Sequence, residues 1–517
     1  MTMPGVRKWW ALGGLMLAVL AVGLDGTVLS VALPTLATAL HASESDLQWF
    51  FSGYLLVLAA AMLPVGLLGD RFGRKKVMLL ALFLFGAGSA ACAYAPTAGA
   101  FLVARLVLGL AGAGVIVMAL SALTVLFTKE ERPRAVGVWA AANFLALPLG
   151  PILGGWLLTH FWWGWVFLLN VPVALVGLIA AFALVPESRA PQRPGLDLIG
   201  VAASIAGLVS LTYGLIEAGQ KNWTDASAVV PMGAGLLVLA LFFLWEYRLS
   251  RRPDGQPLID LALFRSAAFT WGVILQAIAA LAMIGVLFTL PQYFQGVQGA
   301  DAMGSGFRLL PLIGGLVVGA LPADRIARLL GAKVTVALGF AILAGGMIVG
   351  STTEVASSAP FVAVWMAVVG AGMGLALATA ASAALSELPQ ERSGVGAAVM
   401  QALQKLGGPF GAALLGSILT SAYVAHLDLA GLPPAAAQAV QGSIFGGLAV
   451  AHQLGSAALL ASVRAAFVHG MDVSLVVAAG IAAAGLVLTL AFLPGRTTST
   501  ASATRAVREA ESLAATR

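Results

Sequence analysis

Apolar residues along this chain gather in long unbroken blocks, without the strict alternation of a half-buried strand or the one-sided stripe of a surface helix. Each block has about 17–25 residues, the length a helix needs to cross the hydrocarbon core of a bilayer. Fourteen of them begin near Trp9, Leu47, Val77, Gly99, Ala135, Val166, Asp197, Val229, Ala268, Ala302, Lys333, Pro360, Val395 and Asp472. The pattern predicts an all-α polytopic membrane protein with 14 transmembrane helices. The first block follows Arg7 and Lys8 as a signal peptide would, but it is long enough to span and further blocks follow at once, so it reads as an uncleaved first helix. Residues 422–471 are expected to lie on the outer face, with "PPAAAQAVQGSIFGG" and "GSAALLASVRAAFVHG" as two short amphipathic helices.

The polar positions between blocks orient them. Arg71, Arg74, Lys75 and Lys76 follow the second block, Lys129, Arg132 and Arg134 the fourth, and Arg189 and Arg193 the sixth. Arg248, Arg251, Arg252 and Arg265 follow the eighth, and Arg325, Arg328 and Lys333 the tenth. Opposite loops hold essentially Lys221 and Arg464, so the positive-inside rule places both termini in the cytoplasm of a cell whose plasma membrane the chain spans. This asymmetry accounts for the net charge of +6 without any nucleic-acid partner. With 60% hydrophobic and 10% charged residues the chain is excluded from the water-soluble classes. The single cysteine, Cys92, leaves no disulfide framework and no thiolate metal site. All five histidines, His41, His160, His426, His452 and His469, fall in or beside outer loops, and their scatter argues against a metal centre. "HFWWGW", residues 160–165, has the composition of an interfacial aromatic belt.

A weak internal repeat divides the chain. "GLLGDRFGRKKV" follows the second block and "GALPADRIARLLGAKV" the tenth, each with a glycine, an Asp-Arg pair and basic residues at the same boundary. The expected organisation is an N-terminal six-helix bundle over 1–190, two inserted helices with linkers over 191–265, a C-terminal six-helix bundle over 266–495 and a cytoplasmic tail over 496–517. Parallel repeats of this kind are a transporter architecture, with the substrate held between the halves. "GLAGAG" at Gly109 and "GAGMG" at Gly370 lie inside apolar blocks with no preceding strand, which makes them small-residue packing surfaces rather than phosphate loops. No catalytic triad, phosphate loop or metal cluster stands in the sequence, so the chain is not expected to be an enzyme, and no cofactor is expected beyond a proton as coupling ion.

Four motifs together resemble the major facilitator superfamily, in particular its 14-helix drug:proton antiporter branch. "GLLGDRFGRKKVML", residues 66–79, resembles the superfamily's G-x-L-a-D-r-x-G-r-k loop in nearly every position. "ARLVLGLAGAG", residues 104–114, is similar to its fourth-helix motif, with Arg105 as the buried cation. "LPLGPILGGWL", residues 147–157, carries the G-P-x-x-G-G antiporter signature in Gly150, Pro151, Gly154 and Gly155. "LDGTVLSVALP", residues 24–34, is similar to the first-helix motif of the 14-helix branch. The chain departs from the pattern where Ala146 replaces a glycine, where Pro148 adds a proline, and where Ser30 stands for the common asparagine.

The resemblance implies roles that physical chemistry supports. Gly66 and Gly73 let the loop turn tightly while Arg71, Arg74, Lys75 and Lys76 anchor it at headgroups. Asp70 is expected to pair with an arginine or a facing helix N-terminus and to latch one conformation. Pro151 with the three glycines gives a kinked, closely packed helix, which the family uses as a seal. Asp25 and Arg105 are proton-coupling candidates, because burial and a nearby cation act in opposite directions on a carboxylate and together let it load and release a proton. For Arg105 the alternative is snorkelling to the interface, and for Asp25 a structural interhelical bond. Asn143, Gln276, Gln401 and Lys405 are candidate cavity residues, although Lys405 is equally compatible with an interhelical bond. The expected function is a proton-coupled exporter of hydrophobic or amphipathic drugs working by alternating access, a monomer whose partners are its small-molecule substrate, protons and the lipid bilayer.

Overall fold

The structure, a computed structural model, describes residues 5–128, 131–189, 197–252, 255, 257–259, 261–386 and 393–494. The described part is built from helices. Thirteen of them are long and apolar enough to cross a bilayer, and Arg132–His160 is a further helix of 29 residues. In chain order the long helices are α1 (Gly5–Ala39), α2 (Glu44–Phe72), α3 (Arg74–Ala93), α4 (Ala98–Leu126), α5 (Arg132–His160) and α6 (Trp165–Leu184). They continue with α7 (Leu198–Gln220), α8 (Ala226–Ser250), α9 (Ala267–Gln292), α10 (Ala302–Ala320), α11 (Ala332–Gly350), α12 (Ala359–Ser386), α13 (Ser393–His426) and α14 (Ala457–Phe492). The first thirteen begin within a few residues of the apolar blocks, and α14 begins earlier than its block, at Ala457. Short polar caps set the ends: Ser43 and Asp46 form a reciprocal capping box at the start of α2, and Thr97 caps α4.

One core is formed by α1 to α6 and a second by α9 to α14, with few residues crossing between them. The inserted helices α7 and α8 pack on each other, and α7 lies against α13, where the Ser421 hydroxyl donates to the Gly219 carbonyl at 3.2 Å. The loops rich in arginine and lysine lie at one face, here the basic face; the opposite one is the far face. At the basic face Lys8 donates to both oxygens of Glu131, at 2.6 and 2.7 Å, tying α1 to the turn before α5. That hydrogen bond holds the half-buried Glu131 carboxyl below its usual range. The repeat also has a backbone counterpart. Gly73 (φ 119°) and Gly331 (φ 86°) begin α3 and α11, each with a dihedral that a side chain would strain.

The long outer segment differs from expectation. Only its first half is a loop, holding the short helices Pro434–Gly442 and Ile444–Gln453. The second expected amphipathic helix is instead the beginning of α14, which runs unbroken for 36 residues from Ala457. Ser456 caps it, and no proline interrupts the sequence afterwards, so the polar residues Arg464, His469 and Asp472 are carried within a continuous helix. The expected histidine scatter also changes: His426 of α13 and His469 of α14 stack with ring centroids 4.4 Å apart. Among the described residues, no group of three or more potential metal ligands forms. The linker at 191–196 and the tail at 496–517 lie outside the described residues.

The glycine runs are packing surfaces. A Cβ on Gly370 or Gly374 of α12 would come within 2.0 Å of the Leu312 or Leu316 carbonyl of α10, and one on Gly319 of α10 would meet the Ala371 carbonyl at the same distance. Backbone approach this close is the means by which membrane helices associate when lipid is as apolar as their side chains. Gly370→Val should therefore lower the melting temperature of the detergent-solubilised protein, with a cost of about 1–3 kcal/mol or more from overpacking. Gly345→Val, at a position with open space around it, should leave the melting curve unchanged.

Candidate functional site: a buried ion pair beside the seam

Asp25 sits within α1 and Arg105 within α4, both enclosed: 4% and 0% of their surfaces are exposed. Arg105 donates from Nη1 to Asp25 Oδ2 at 2.5 Å and from Nε to the Phe50 carbonyl at 3.3 Å. Its guanidinium carbon lies 4.1 Å from the centroid of the Tyr54 ring, a cation–π arrangement. Asn170 donates to the other oxygen of Asp25 at 3.3 Å, and the Tyr54 hydroxyl donates to the Val22 carbonyl at 3.1 Å. Four helices, α1, α2, α4 and α6, thus meet around one ion pair. Snorkelling is excluded for Arg105, because a fully enclosed guanidinium does not reach the interface. Its Nη2 is buried without a hydrogen-bond partner.

Two residues along α1, the centre reaches the seam between the halves. Thr27 donates to the Ala146 carbonyl of α5 at 3.0 Å, and Ser30 donates to the Thr27 carbonyl at 2.8 Å. A Cβ on Gly150 would collide with the Thr27 hydroxyl, and one on Gly154 would lie 2.7 Å from Val28. On the other side of α5, a Cβ on Gly155 would be 2.6 Å from the Ala302 carbonyl, and one on Gly306 of α10 would be 2.3 Å from the Pro151 carbonyl. The Gly150, Pro151, Gly154 and Gly155 group therefore joins α5 to α1 and to the second half at once. The alanine at position 146 is accommodated across the contact, because a Cβ at Gly23 would lie 2.6 Å from that of Ala146.

Four hydrogen bonds between the two halves lie at the far face. Gln292 Nε2 donates to Glu44 Oε1 at 3.2 Å, Gln295 Nε2 to the Val31 carbonyl at 3.0 Å, Gln48 Nε2 to Thr420 Oγ1 at 3.2 Å, and Ser417 Oγ to Gln48 Oε1 at 3.3 Å. Just inside this seal a small void of about 10 Å³ is lined by Thr27 and Pro151 from the first half and by Met283, Leu287, Leu312 and Met373 from the second. Of the candidate cavity residues, Gln276, Gln401 and Lys405 do not line it. Gln276 is buried within α9 with its Nε2 unpartnered, Gln401 and Lys405 are half-buried on α13, and the side chain of Asn143 lies outside the described residues. Among the described residues no ion pair to Lys405 forms.

At the basic face Asp70 pairs with Arg74, whose Nε and Nη2 both lie 2.9 Å from Asp70 Oδ1. This partner belongs to the same loop, so the pair does not bridge the halves. The Lys75 backbone amide donates to Glu187 at 3.2 Å and its Nζ donates to the Phe182 carbonyl at 2.6 Å, which fastens the loop to the end of α6. Gly66 lies within α2 with Val117 at 3.5 Å from a Cβ built there, while Arg71 lies over Phe72.

Sequence reasoning missed Glu44, Gln48, Gln292 and Gln295 at the seal, Tyr54 and Asn170 around the ion pair, and Glu187 under the loop. The glutamines carried a usable signal. Gln292 and Gln295 stand three residues apart at an apolar helix end, a spacing that puts both on one side.

Residues 15–412 match the Major Facilitator Superfamily. The chain belongs to this superfamily. It is therefore a transporter rather than an enzyme, and a multi-pass membrane protein. The chain is 33% identical over 505 residues to the multidrug efflux pump LfrA of Mycolicibacterium smegmatis, covering 95% of this chain and 97% of that one. It is 33% identical over 416 residues to the tetracenomycin C resistance and export protein of Streptomyces glaucescens, covering 80% and 76%. Among solved structures, a bacterial homologue of the human lysosomal transporter Spinster superposes with a TM-score of 0.69 at 15% identity, over 96% of this chain and 99% of that one. A D-xylose-proton symporter superposes with a TM-score of 0.58 at 17% identity, over 94% and 98%. The fold is thus shared by proteins of different transport chemistry, and it positions a site without naming the cargo.

The energetics of the ion pair can be separated from transport. Removing one partner of a buried pair strands the other charge, at a cost of about 3–5 kcal/mol. Asp25→Asn and Arg105→Gln should each lower the melting temperature of the purified protein, and the double variant should recover a large part of the loss. Strict additivity of the two losses would contradict the pairing.

Proposed function

We propose that the chain is a proton-coupled exporter of hydrophobic or amphipathic drugs, working from the cytoplasmic membrane with both termini inside. The basic face is then cytoplasmic and the far face external. The observation that carries this proposal is the placement of Asp25 two residues from Thr27 on one helix. Asp25 holds the buried cation, and Thr27 lines the space between the halves and bonds to α5. A change in the charge of Asp25 alters its grip on Arg105 and is felt at the seam through α1, which is a rigid connection. Hydrogen bonds that join the halves at the far face suit a transporter facing the cytoplasm.

The apolar lining with two methionines suits a cargo recognised by shape and dispersion, since thioether side chains adapt to irregular surfaces. The efflux relatives support the outward direction. With about 100 mV and one pH unit, each proton supplies about 2.3 plus 1.4 kcal/mol, enough for a gradient of roughly 500-fold in a neutral cargo. Import of a nutrient by symport on the same fold is the competing direction, and a membrane scaffold or receptor without transport is the competing class. The G-P-x-x-G-G group at the seam and the buried ion pair favour exchange over both.

In proteoliposomes with an imposed pH gradient, Asp25→Asn should abolish pH-driven accumulation of a transported drug while binding persists within a few fold. Unchanged pH-driven transport by Asp25→Asn would overturn the coupling role. Inverted vesicles from cells carrying the wild type give the direction, and uptake into them driven by an inside-acid gradient is the expected result.

Lys405 bears on cargo charge. It stands 12 residues into α13 from Ser393, or about 18 Å along the axis. Two unit charges about 10 Å apart in a medium of effective dielectric constant near 20 interact by about 1.7 kcal/mol. If Lys405 faces the cargo pathway, Lys405→Gln should raise the transport of a rigid dication such as methyl viologen by roughly tenfold relative to a neutral drug. An unchanged preference would remove Lys405 from the pathway.

A further inference from the structure

Glu44 opens α2 at the far face, where its surface is 3% exposed. Its hydrogen-bond partner across the seam is Gln292, 0% exposed, whose Nε2 donates to Glu44 Oε1 at 3.2 Å. The other end of that amide, Gln292 Oε1, is buried and has no hydrogen-bond partner. No lysine, arginine or histidine nitrogen lies within 4 Å of the Glu44 carboxylate among the described residues. The pocket therefore offers this carboxylate one neutral donor and no cation, and it leaves one acceptor unanswered. An ionised carboxylate has only acceptors and cannot answer it, whereas a carboxylic acid has one O–H to donate.

The surroundings contain nothing else that supplies the charge balance. α9 has no ionisable residue at all. α1 ends before His41 in the connecting turn, α4 brings Arg105, which is held by Asp25, and α7 brings Glu217, which pairs with Lys221. α3 has its basic residues at the opposite face, and Asp46 on α2 itself is held by Ser43. α13 brings His426, stacked on His469, and Tyr423, the titratable group that senses Glu44 electrostatically. The Tyr423 hydroxyl donates to the Val440 carbonyl at 2.8 Å and is not a donor to Glu44.

We propose that Glu44 is a second proton-binding site, separate from Asp25, and that the proton it takes closes the far gate by completing a two-way acid–amide pair with Gln292. The proposal rests on the transporter reading for its sidedness, but the pair itself does not. With the gate closed, Gln292 Nε2–H meets the Glu44 carbonyl oxygen and the Glu44 O–H meets Gln292 Oε1. With the gate open, water solvates both groups and the carboxyl ionises. The proton enters and leaves from the far side, so it is not carried across. External acidity thereby biases the transporter toward its cytoplasm-facing state without changing the number of protons exchanged per cargo.

The test follows the gate rather than transport. Val31, 0% exposed, belongs to α1 but packs into the core of the second half, so it becomes reachable only when the far side opens. In a Cys92→Ala background, Val31→Cys would be labelled with a water-soluble maleimide, in nanodiscs, after a brief equilibration at each of several pH values, with rates corrected for the thiolate fraction measured on a small thiol. The corrected rate should rise by about tenfold from pH 5 to pH 9, equivalent to about 1.4 kcal/mol. Glu44→Gln, whose amide pairs both ways with Gln292 at any pH, should give a slow rate that no longer varies with pH. Gln292→Leu should give a fast rate that no longer varies with pH. A flat profile without these substitutions, or an unaltered profile in both variants, would overturn the proposal. Labelling at Val31 follows the gate and proteoliposome accumulation follows export, so a failure of proton-driven export and a failure of the gate are read separately.

Discussion

A charge in hydrocarbon must be answered by an opposite charge, and the first half of this transporter is arranged around that requirement. Arg105 cannot lose its proton and cannot reach the interface, so Asp25 has to stay near it. The helices carrying the two residues are thereby held together, and Tyr54, Phe50 and Asn170 from two further helices occupy most of the remaining faces. This is a costly kind of contact, because each member is ruinous without the other. A single proton can also change its strength.

The second constraint is closeness. Glycines at Gly150, Gly154 and Gly155 bring three helices to backbone distance at the seam, and Gly370 and Gly374 do the same within the second half. Where the backbone is this near, a seal needs little side-chain material, and amides can finish it. The seal at the far face uses three glutamines, Gln48, Gln292 and Gln295, and one acid, Glu44. Hydrogen bonds from side-chain amides are weak enough to be broken in each cycle, unlike the ion pair behind them.

Helix number, orientation and the repeat were legible because the bilayer imposes one length and one charge rule on every crossing. The ion pair was legible for a related reason: Asp25 and Arg105 are anomalies against an apolar background, and the background makes anomalies conspicuous. Glu44 was not, since it stands at a helix start beside Ser43 and Asp46, where an acidic residue is ordinary. Its meaning depends on Gln292, which is 248 residues away, and no spacing rule joins them. The cavity lining escaped notice for the opposite reason, because methionine and leucine in a membrane helix carry no contrast. The continuation of α14 into the outer segment was hidden by Arg464, His469 and Gly470, which interrupt the apolar run without interrupting the helix.

That continuation makes the two halves unequal in height. A helix of 36 residues is about 54 Å long, some 24 Å more than the hydrocarbon core it crosses, and Ile444–Gln453 packs against it with Pro434–Gly442 packed on that short helix in turn. Only the second half carries such a superstructure. An antibody fragment or other rigid binder approaching from the far side therefore meets a relief map with one summit, and it can grip that summit without touching the seam. Such a handle would report the tilt of the second half while leaving the gate free to move.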